Sequence, residues 1–90
     1  MEKIPKAVAL RYDKDKDAAP RVIAKGRGDI AKKIIEIADT HNLPRYEDKN
    51  LIQLLEALEL ETEIPTELYR AVAEVLAFVY RLNGNIGIED

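Results

Sequence analysis

Arg21-Val22-Ile23-Ala24-Lys25-Gly26-Arg27-Gly28-Asp29-Ile30-Ala31-Lys32-Lys33-Ile34 holds two different periods joined by two glycines. Val22 and Ile23 begin a short strand over 21–25, Gly26 and Gly28 stop it, and from Asp29 onward the apolar residues recur at helical spacing. Ile30, Ile34, Ile37 and Ala38 are expected on one helical face, Ala31 and Ile35 beside them, and Lys32, Lys33, Glu36 and Asp39 outside. Gly28 or Asp29 caps the start, and Asn42 with Pro44 ends the helix. A strand that turns directly into a helix makes the chain α/β.

Upstream, residues 6–12 read as a strand with Val8, Leu10 and Tyr12 on one face and Ala7, Ala9 and Arg11 on the other. Asp13-Lys14-Asp15-Lys16-Asp17-Ala18-Ala19-Pro20 is a charged, exposed connection, so the first two strands form an antiparallel hairpin with a loose loop. Downstream, Pro44-Arg45-Tyr46-Glu47 is a short third strand, parallel to the second through a right-handed crossover. Asp48 caps a helix over 49–59, with Leu51, Leu54, Leu55 and Leu58 at helical spacing. The segment 61–65 breaks it, and Thr66 caps a last helix running to about Leu82 and closed by Asn83-Gly84. The expected architecture is a small mixed sheet of about three strands with three helices, β-β-α-β-α-α. Residues 1–90 form a single domain whose ends, 1–5 and 84–90, are flexible.

On a 100° wheel the last helix gathers Leu68, Ala71, Val72, Val75, Val79 and Leu82 on one face, while Glu67, Arg70, Glu74 and Arg81 fill an arc of only about 60°. A second apolar face remains, made of Tyr69, Ala73, Leu76 and Tyr80. Such a helix is either sandwiched between sheet and helix or presents a groove to another molecule. The ease with which a small α/β domain covers both sides favours the sandwich.

Length and composition exclude much. Ninety residues with 47% hydrophobic side chains make one core. With no cysteine, no serine and a single histidine, His41, the usual nucleophilic triad and thiolate or histidine-rich metal sites cannot be built. No apolar run approaches the roughly 18 residues that span a bilayer, and the N-terminus lacks a secretion signal, so a soluble cytoplasmic protein without membrane insertion is expected. Residues 1–50 carry 12 basic and 9 acidic groups, whereas 51–90 carry 2 basic and 8 acidic. Interleaved signs and few tyrosines argue against nucleic-acid binding.

Two motifs carry weak signals. Gly26-Arg27-Gly28-Asp29-Ile30-Ala31 matches a G-x-G-x-x-A pattern, but 90 residues are too few for a dinucleotide-binding sheet. It leaves one alternative, a small anion- or nucleotide-binding protein that uses the turn over 26–29. Asp13, Asp15 and Asp17 start like a calcium loop, yet the required glycine is Ala18 and the required glutamate is Ala24. No cofactor, metal or catalytic residue is therefore expected, and the aspartates read as a solvated loop.

The ordered blocks Ala7-Val8-Ala9-Leu10-Arg11-Tyr12-Asp13, Ala19-Pro20-Arg21-Val22-Ile23-Ala24-Lys25-Gly26, Ile37-Ala38 with Asn42-Leu43-Pro44, and the run from Ile64 to Leu82 resemble the cytoplasmic domain of the FlhB/YscU type III export switch family. That resemblance implies an interaction module of the flagellar export apparatus and its injectisome relatives, active in protein transport and in the substrate specificity switch, and no enzyme in the ordinary sense. Its partners would be export apparatus proteins or export substrates; the oligomeric state is left open. Family members cut themselves at an Asn-Pro-Thr-His sequence just before the first strand. The matching positions here are Glu2, Lys3, Ile4 and Pro5, and Glu2 has no amide nitrogen for asparagine cyclisation, so self-cleavage is not expected. The resemblance also implies a free-standing form without the membrane region and without the strand before the cut. One sheet edge, beside the first strand, would then be unpaired and guarded by Lys3 and Lys6. The family's hydrophobic patch for export signals maps onto Ala19, Pro20, Ala73 and Leu76.

Overall fold

Two runs of small and large side chains, alternating along one strand, set the layers. The computed structural model describes residues 4–13, 15–79 and 85–89, in the order β1 (Lys6–Arg11), β2 (Arg21–Arg27), α1 (Asp29–Thr40), β3 (Arg45–Glu47), α2 (Lys49–Glu56), a 3-10 turn (Thr66–Leu68), α3 (Tyr69–Val79) and β4 (Asn85–Glu89). The mixed sheet runs β2-β1-β4-β3. β1 is antiparallel to both β2 and β4, and β3 is parallel to β4.

Val8 and Leu10 are fully buried on one face with Val22, which sits opposite Leu10. Leu51, Ile52 and Leu55 of α2, Ile64, Leu68, and Val72 and Val75 of α3 complete that core. Alternation sends Ala7 to the other face, where its partner in β2 is Gly26. There α1 buries Ala31 and Ala38, and a Cβ added at Gly26 would stand 2.1 Å from Cγ2 of Ile30. Gly26 leaves room for the Ile30 side chain of the first turn of α1 to lie directly against the strand backbone. This corrects the expected α1 face: Ile30 and Ile37 are 61% and 50% exposed, and the buried residues of the helix are Ala31 and Ala38.

The ends follow capping chemistry. Gly28 holds φ 62° at the N-cap of α1, a conformation that favours glycine. Asn42, at φ 54°, ends the helix in a Schellman motif, Leu43 N–H donating to Ala38 O (2.8 Å) and Asn42 N–H to Asp39 O (3.1 Å). Asp48 Oδ1 accepts from Asn50 and Leu51 N–H, both at 3.0 Å, which starts α2 as expected. That helix stops at Glu56, and Leu54 is exposed while Ile52 is buried in its place. Thr66 is no side-chain cap. The last helix enters through its 3-10 turn with Pro65 in the cap position and Leu68 N–H bonded to Pro65 O.

Three expectations change in the sheet. β2 continues through Gly26 to Arg27, since both residues pair with β1. β3 does not pair with β2; it runs parallel to it with β1 and β4 between them, next to β4. Asn85–Glu89, expected to fray, is an internal strand, so β1 has a neighbour on each side and its expected free edge is filled. The end of the last helix near Leu82, its closing Asn83-Gly84, Tyr80 and Lys3 lie outside the described residues. Among the described residues no helix is long and apolar enough to cross a membrane.

Candidate functional site

The segment joining α2 to α3 decides where the open surface lies. It runs beside the edge strand, Glu61 N–H donating to Val22 O (2.8 Å) and Ile64 N–H to Pro20 O (2.9 Å), with Glu63 bridged to Arg21. Ile64 is thereby drawn under the loop that follows β1, and α3 starts directly beyond it. Between that loop and α3 lies an apolar groove of about 300 Å³, lined by Tyr12, Ala18, Ala19, Pro20, Ile64, Tyr69, Val72, Ala73 and Leu76. Ala19, Pro20, Ile64 and Val72 are buried and form its base, Leu76 is half-buried, and Ala73 and Tyr69 are exposed, the latter by 44%. The sandwich expected for the second face of α3 is therefore not the arrangement found: Val72 and Val75 pack inward, and the side carrying Tyr69 and Ala73 faces the groove.

Ala19, Pro20, Ala73 and Leu76, separated by more than fifty positions in the chain, all line this one groove. Sequence reading did not include Tyr12, Ala18, Ile64 and Tyr69 among the site residues. The period-two pattern did place Tyr12 on the Val8 and Leu10 face, and the wheel did place Tyr69 with Ala73. For Ile64 the only signal was the proline after it.

A buried carboxylate stiffens the loop wall. Asp17, only 9% exposed, accepts from Asp13 N–H (3.0 Å) at one oxygen and from Arg21 Nε (3.1 Å) at the other, while its own N–H bonds Asp13 O (2.7 Å). Arg11 lies 3.9 Å from the same carboxylate. The Asp13 N–H, the Arg21 guanidinium and the charge of Arg11 hold the Asp17 carboxyl below its ordinary pKa, against the opposing effect of burial. Arg21 also donates to Glu61 O (2.6 Å) and pairs with Glu63 (3.7 Å), whose carboxylate accepts from Ala18 N–H (3.2 Å). So the aspartate loop is no solvated ornament: through Asp17 it ties the Ala18-Ala19-Pro20 wall to β2 and to the α2–α3 connection.

The cations flanking the turn over 26–29 are engaged within the protein itself. Arg27 forms a two-pronged pair with Glu56 (2.8 and 3.1 Å), Lys6 lies 3.5 Å from the same carboxylate, and Lys25 Nζ donates to the carbonyls of Glu56 and Leu58. Gly28 N–H is bonded to Pro5 O (2.8 Å), and Asp29 adds a negative charge to the first turn of α1. The Arg27 guanidinium, more than any other neighbour, holds the Glu56 carboxyl below its usual range. Among the described residues no group of three or more His, Asp or Glu side chains is placed to hold a metal ion.

Comparison with known proteins agrees with this fold. The model of the FlhB HrpN YscU SpaS family matches residues 5–79. The chain is 46% identical over 83 residues to uncharacterized protein YlqH of Bacillus subtilis (strain 168), covering 92% of this chain and 89% of that protein. It is 46% identical to the flagellar biosynthetic protein FlhB of Aquifex aeolicus (strain VF5), over 81% of this chain but only 21% of that one. Against FlhB of Salmonella typhimurium (strain LT2) the identity is 45%, with 91% and 24% covered, so the chain spans about a quarter or less of these FlhB proteins. The crystal structure of the cytoplasmic domain of Shewanella putrefaciens FlhB superposes with a TM-score of 0.80 at 41% identity, over 89% of this chain and 68% of that one.

Proposed function

The chain belongs to the FlhB HrpN YscU SpaS family, and from that membership we propose that it is a cytoplasmic, non-enzymatic interaction module that binds export apparatus proteins or export substrates in the groove between the 18–20 loop and α3. The observation that carries this reading is the convergence of Ala19, Pro20, Ala73 and Leu76 on one open, apolar surface. A groove floored by Ile64 and Val72 and rimmed by an exposed tyrosine suits a few apolar anchors of an otherwise polar segment. At the other end of β2, Lys25 and Arg27 of the turn over 26–29 are already tied to carbonyls and to Glu56, which favours the groove over the anion-binding alternative. Self-cleavage is no part of this reading, because the family's Asn-Pro-Thr-His stands here as Glu2-Lys3-Ile4-Pro5. Glu2 and Lys3 lie outside the described residues, so this rests on chemistry: without an asparagine amide there is no cyclising nucleophile.

A photo-crosslinking side chain in place of Tyr69, used in the cell that makes the protein, tests the assignment. Adducts with export proteins are expected, and Ala73→Asp or Leu76→Asp should remove them. Recovery of no export protein, or adducts indifferent to both substitutions, would refute the groove as the site. Intact-mass measurement of the purified chain after prolonged incubation at neutral pH should show no fragment ending near residue 2.

A further inference from the structure

On the side of β2 away from β1 the sheet is open. β2 is an edge strand, and the connection from α2 reaches it at Pro20, Arg21 and Val22. Ile23 to Arg27 have no strand beside them on that side among the described residues. Charged side chains commonly guard such an edge against pairing. Here they are folded away, since Lys25 Nζ is held by the carbonyls of Glu56 and Leu58 and Arg27 by the Glu56 carboxylate. Gly26, between them, has no side chain. The same edge carries the apolar surface of α1. Ile30 lies against Gly26 and is nevertheless 61% exposed. At 100° per residue Ile34 and Ile37 fall within about 60° of one another on the side of the helix that carries Ile30. Ile37 is exposed and Ile34 half-buried. Beneath α1 the layer is closed by Ala31 and Ala38, but its outer flank, above the free part of β2, is a stripe of isoleucine. Beyond the stripe come Lys33 and then Glu36, and neither makes an ion pair among the described residues.

We propose that this face, the β2 edge from Ile23 to Arg27 with Ile30, Ile34 and Ile37 of α1, joins two copies of the chain about a two-fold axis. A second copy fits it for three reasons. Antiparallel pairing of the free edges, centred on Lys25, sets Ala24 opposite Gly26 and Ile23 opposite Arg27, and each Lys25 ammonium is already held back on the carbonyls of Glu56 and Leu58. α1 lies over β2 and β1, so with the edge strands about 4.8 Å apart the two α1 axes stand on the order of 10 Å apart, where large side chains of two helices interlock. With the two helices antiparallel about Ile34, Lys33 of each copy comes within about one residue, or 1.5 Å along the axis, of the level of Glu36 in the other. The free charges of that row are thereby matched twice, as an isologous contact requires. Five strand residues and three isoleucines a side fall short of the roughly 20–30 residues a side of a stable interface, so the dimer is weak and forms at high micromolar concentration. The groove beside α3 lies across the sheet from α1, and the proposal does not depend on its having a ligand.

Sedimentation equilibrium of the full chain, from about 10 µM to about 1 mM, is the first test for an interface of this size. The weight-average mass should rise from the monomer's 10.2 kDa toward twice that value. Concentration-dependent amide shifts should map to residues 23–27 and 30–37. Ile37→Asp, at an exposed position, should weaken association by about tenfold or more without lowering the urea midpoint. Leu54→Asp, equally exposed but on α2 and outside this face, should leave association unchanged. Lys33→Glu and Glu36→Lys should each weaken self-association by about threefold, the size of two surface ion pairs. Mixed together, these two variants should associate with each other more tightly than either does with itself, because each supplies the charge the other lacks. A mass that never leaves the monomer's value over that range would overturn the proposal. So would a dimer that withstands Ile37→Asp, or shifts confined to Tyr69 and Ala73, which would put the groove at the interface. A photo-crosslink from position 37 to a different protein, in a chain that stays monomeric, would give the face to another partner and refute the dimer. A mixture of the charge variants that associates no better than its components would refute the antiparallel pairing of α1.

Discussion

The two faces of the sheet are held by opposite means. On the α1 side the fully buried side chains are the small ones, Ala7, Ala31 and Ala38, and Gly26 leaves room for Ile30 to lie against the strand. On the other side Val8, Leu10 and Val22 meet Leu51, Ile52, Leu55, Val72 and Val75, and side-chain volume fills a deeper layer. A layer of small side chains closes as soon as the helix meets the sheet and leaves no remainder between them. A layer filled by large side chains has a perimeter, and where α3 turns its Tyr69 and Ala73 side away from Val75 the perimeter stays open as the groove. A ligand groove is expected where packing is by volume and not by contact distance.

That contrast predicts which substitutions hurt and how. Leu10→Ala removes a fully buried side chain from the volume-filled face and leaves a cavity, so it should lower unfolding stability by about 2–5 kcal/mol in urea titration. Gly26→Ala acts by the opposite defect, too much volume, because the new Cβ would lie 2.1 Å from Ile30 Cγ2 and 2.7 Å from its Cβ. A loss of about 1–3 kcal/mol is expected, of the size overpacking commonly produces. Ile30 is largely exposed, and trimming it to alanine in the same chain removes the Cγ2 clash but not the Cβ at 2.7 Å, so it should restore part of that loss. If the double variant is no more stable than Gly26→Ala alone, the close-approach account of the α1 face is wrong.

The loop wall supplies a pH test. Asp17 has a depressed pKa in the folded chain, so its contribution to stability is fully present above its unfolded value, about 3.9, and is lost as pH falls through the folded one. The urea midpoint should therefore fall as the medium is taken from pH 6 toward pH 3. Asp17→Asn should flatten part of that limb while weakening the wall at neutral pH. Glu56, depressed chiefly by Arg27, contributes to the same acid limb from the far end of β2, so the flattening should be partial; Asp17→Asn with Glu56→Gln should flatten it further. No acid dependence beyond that of Glu56→Gln alone would remove Asp17 from the wall's support.

Much of this was legible before the structure, for identifiable reasons. Period two along residues 6–12 separated Val8 and Leu10 from Ala7 and Ala9, and the two capping aspects, Asp48 and Asn42, were readable because each acts within a few residues. What escaped reading depends on distant partners. Nothing local says that Asn85-Ile86-Gly87-Ile88-Glu89 is a strand, since its only warrant is the space between β1 and β3. The isoleucines of α1 suggested the buried face by hydrophobicity, yet the residues the helix buries are Ala31 and Ala38, and Ile30 touches the sheet only where Gly26 leaves room for it. Asp17 looked solvated because its partners Arg21 and Arg11 are brought over it only by the hairpin. The four groove residues were placed through family resemblance; the helical wheel independently supplied two of them, Ala73 and Leu76.

The smallest effect on stability should come with the largest on binding. Ala73 is exposed on α3 and faces the groove. Ala73→Asp removes no buried contact, so its thermodynamic effect should be limited to helix propensity, below about 1 kcal/mol. Any apolar segment seated in the groove would have to desolvate the new carboxylate, and that penalty of about 1–3 kcal/mol or more corresponds to binding weaker by about fivefold or more. Ala77→Asp, also exposed, four positions further along the helix and outside the groove lining, supplies the matched control with the same propensity change. Crosslinking that survives Ala77→Asp and disappears with Ala73→Asp, at equal urea midpoints, would separate the open perimeter from the packed layer behind it. Equal losses from both would mean that the surface of α3 matters only through its charge, and the distinction between a volume-filled face with a usable edge and a closed face without one would lose its functional meaning.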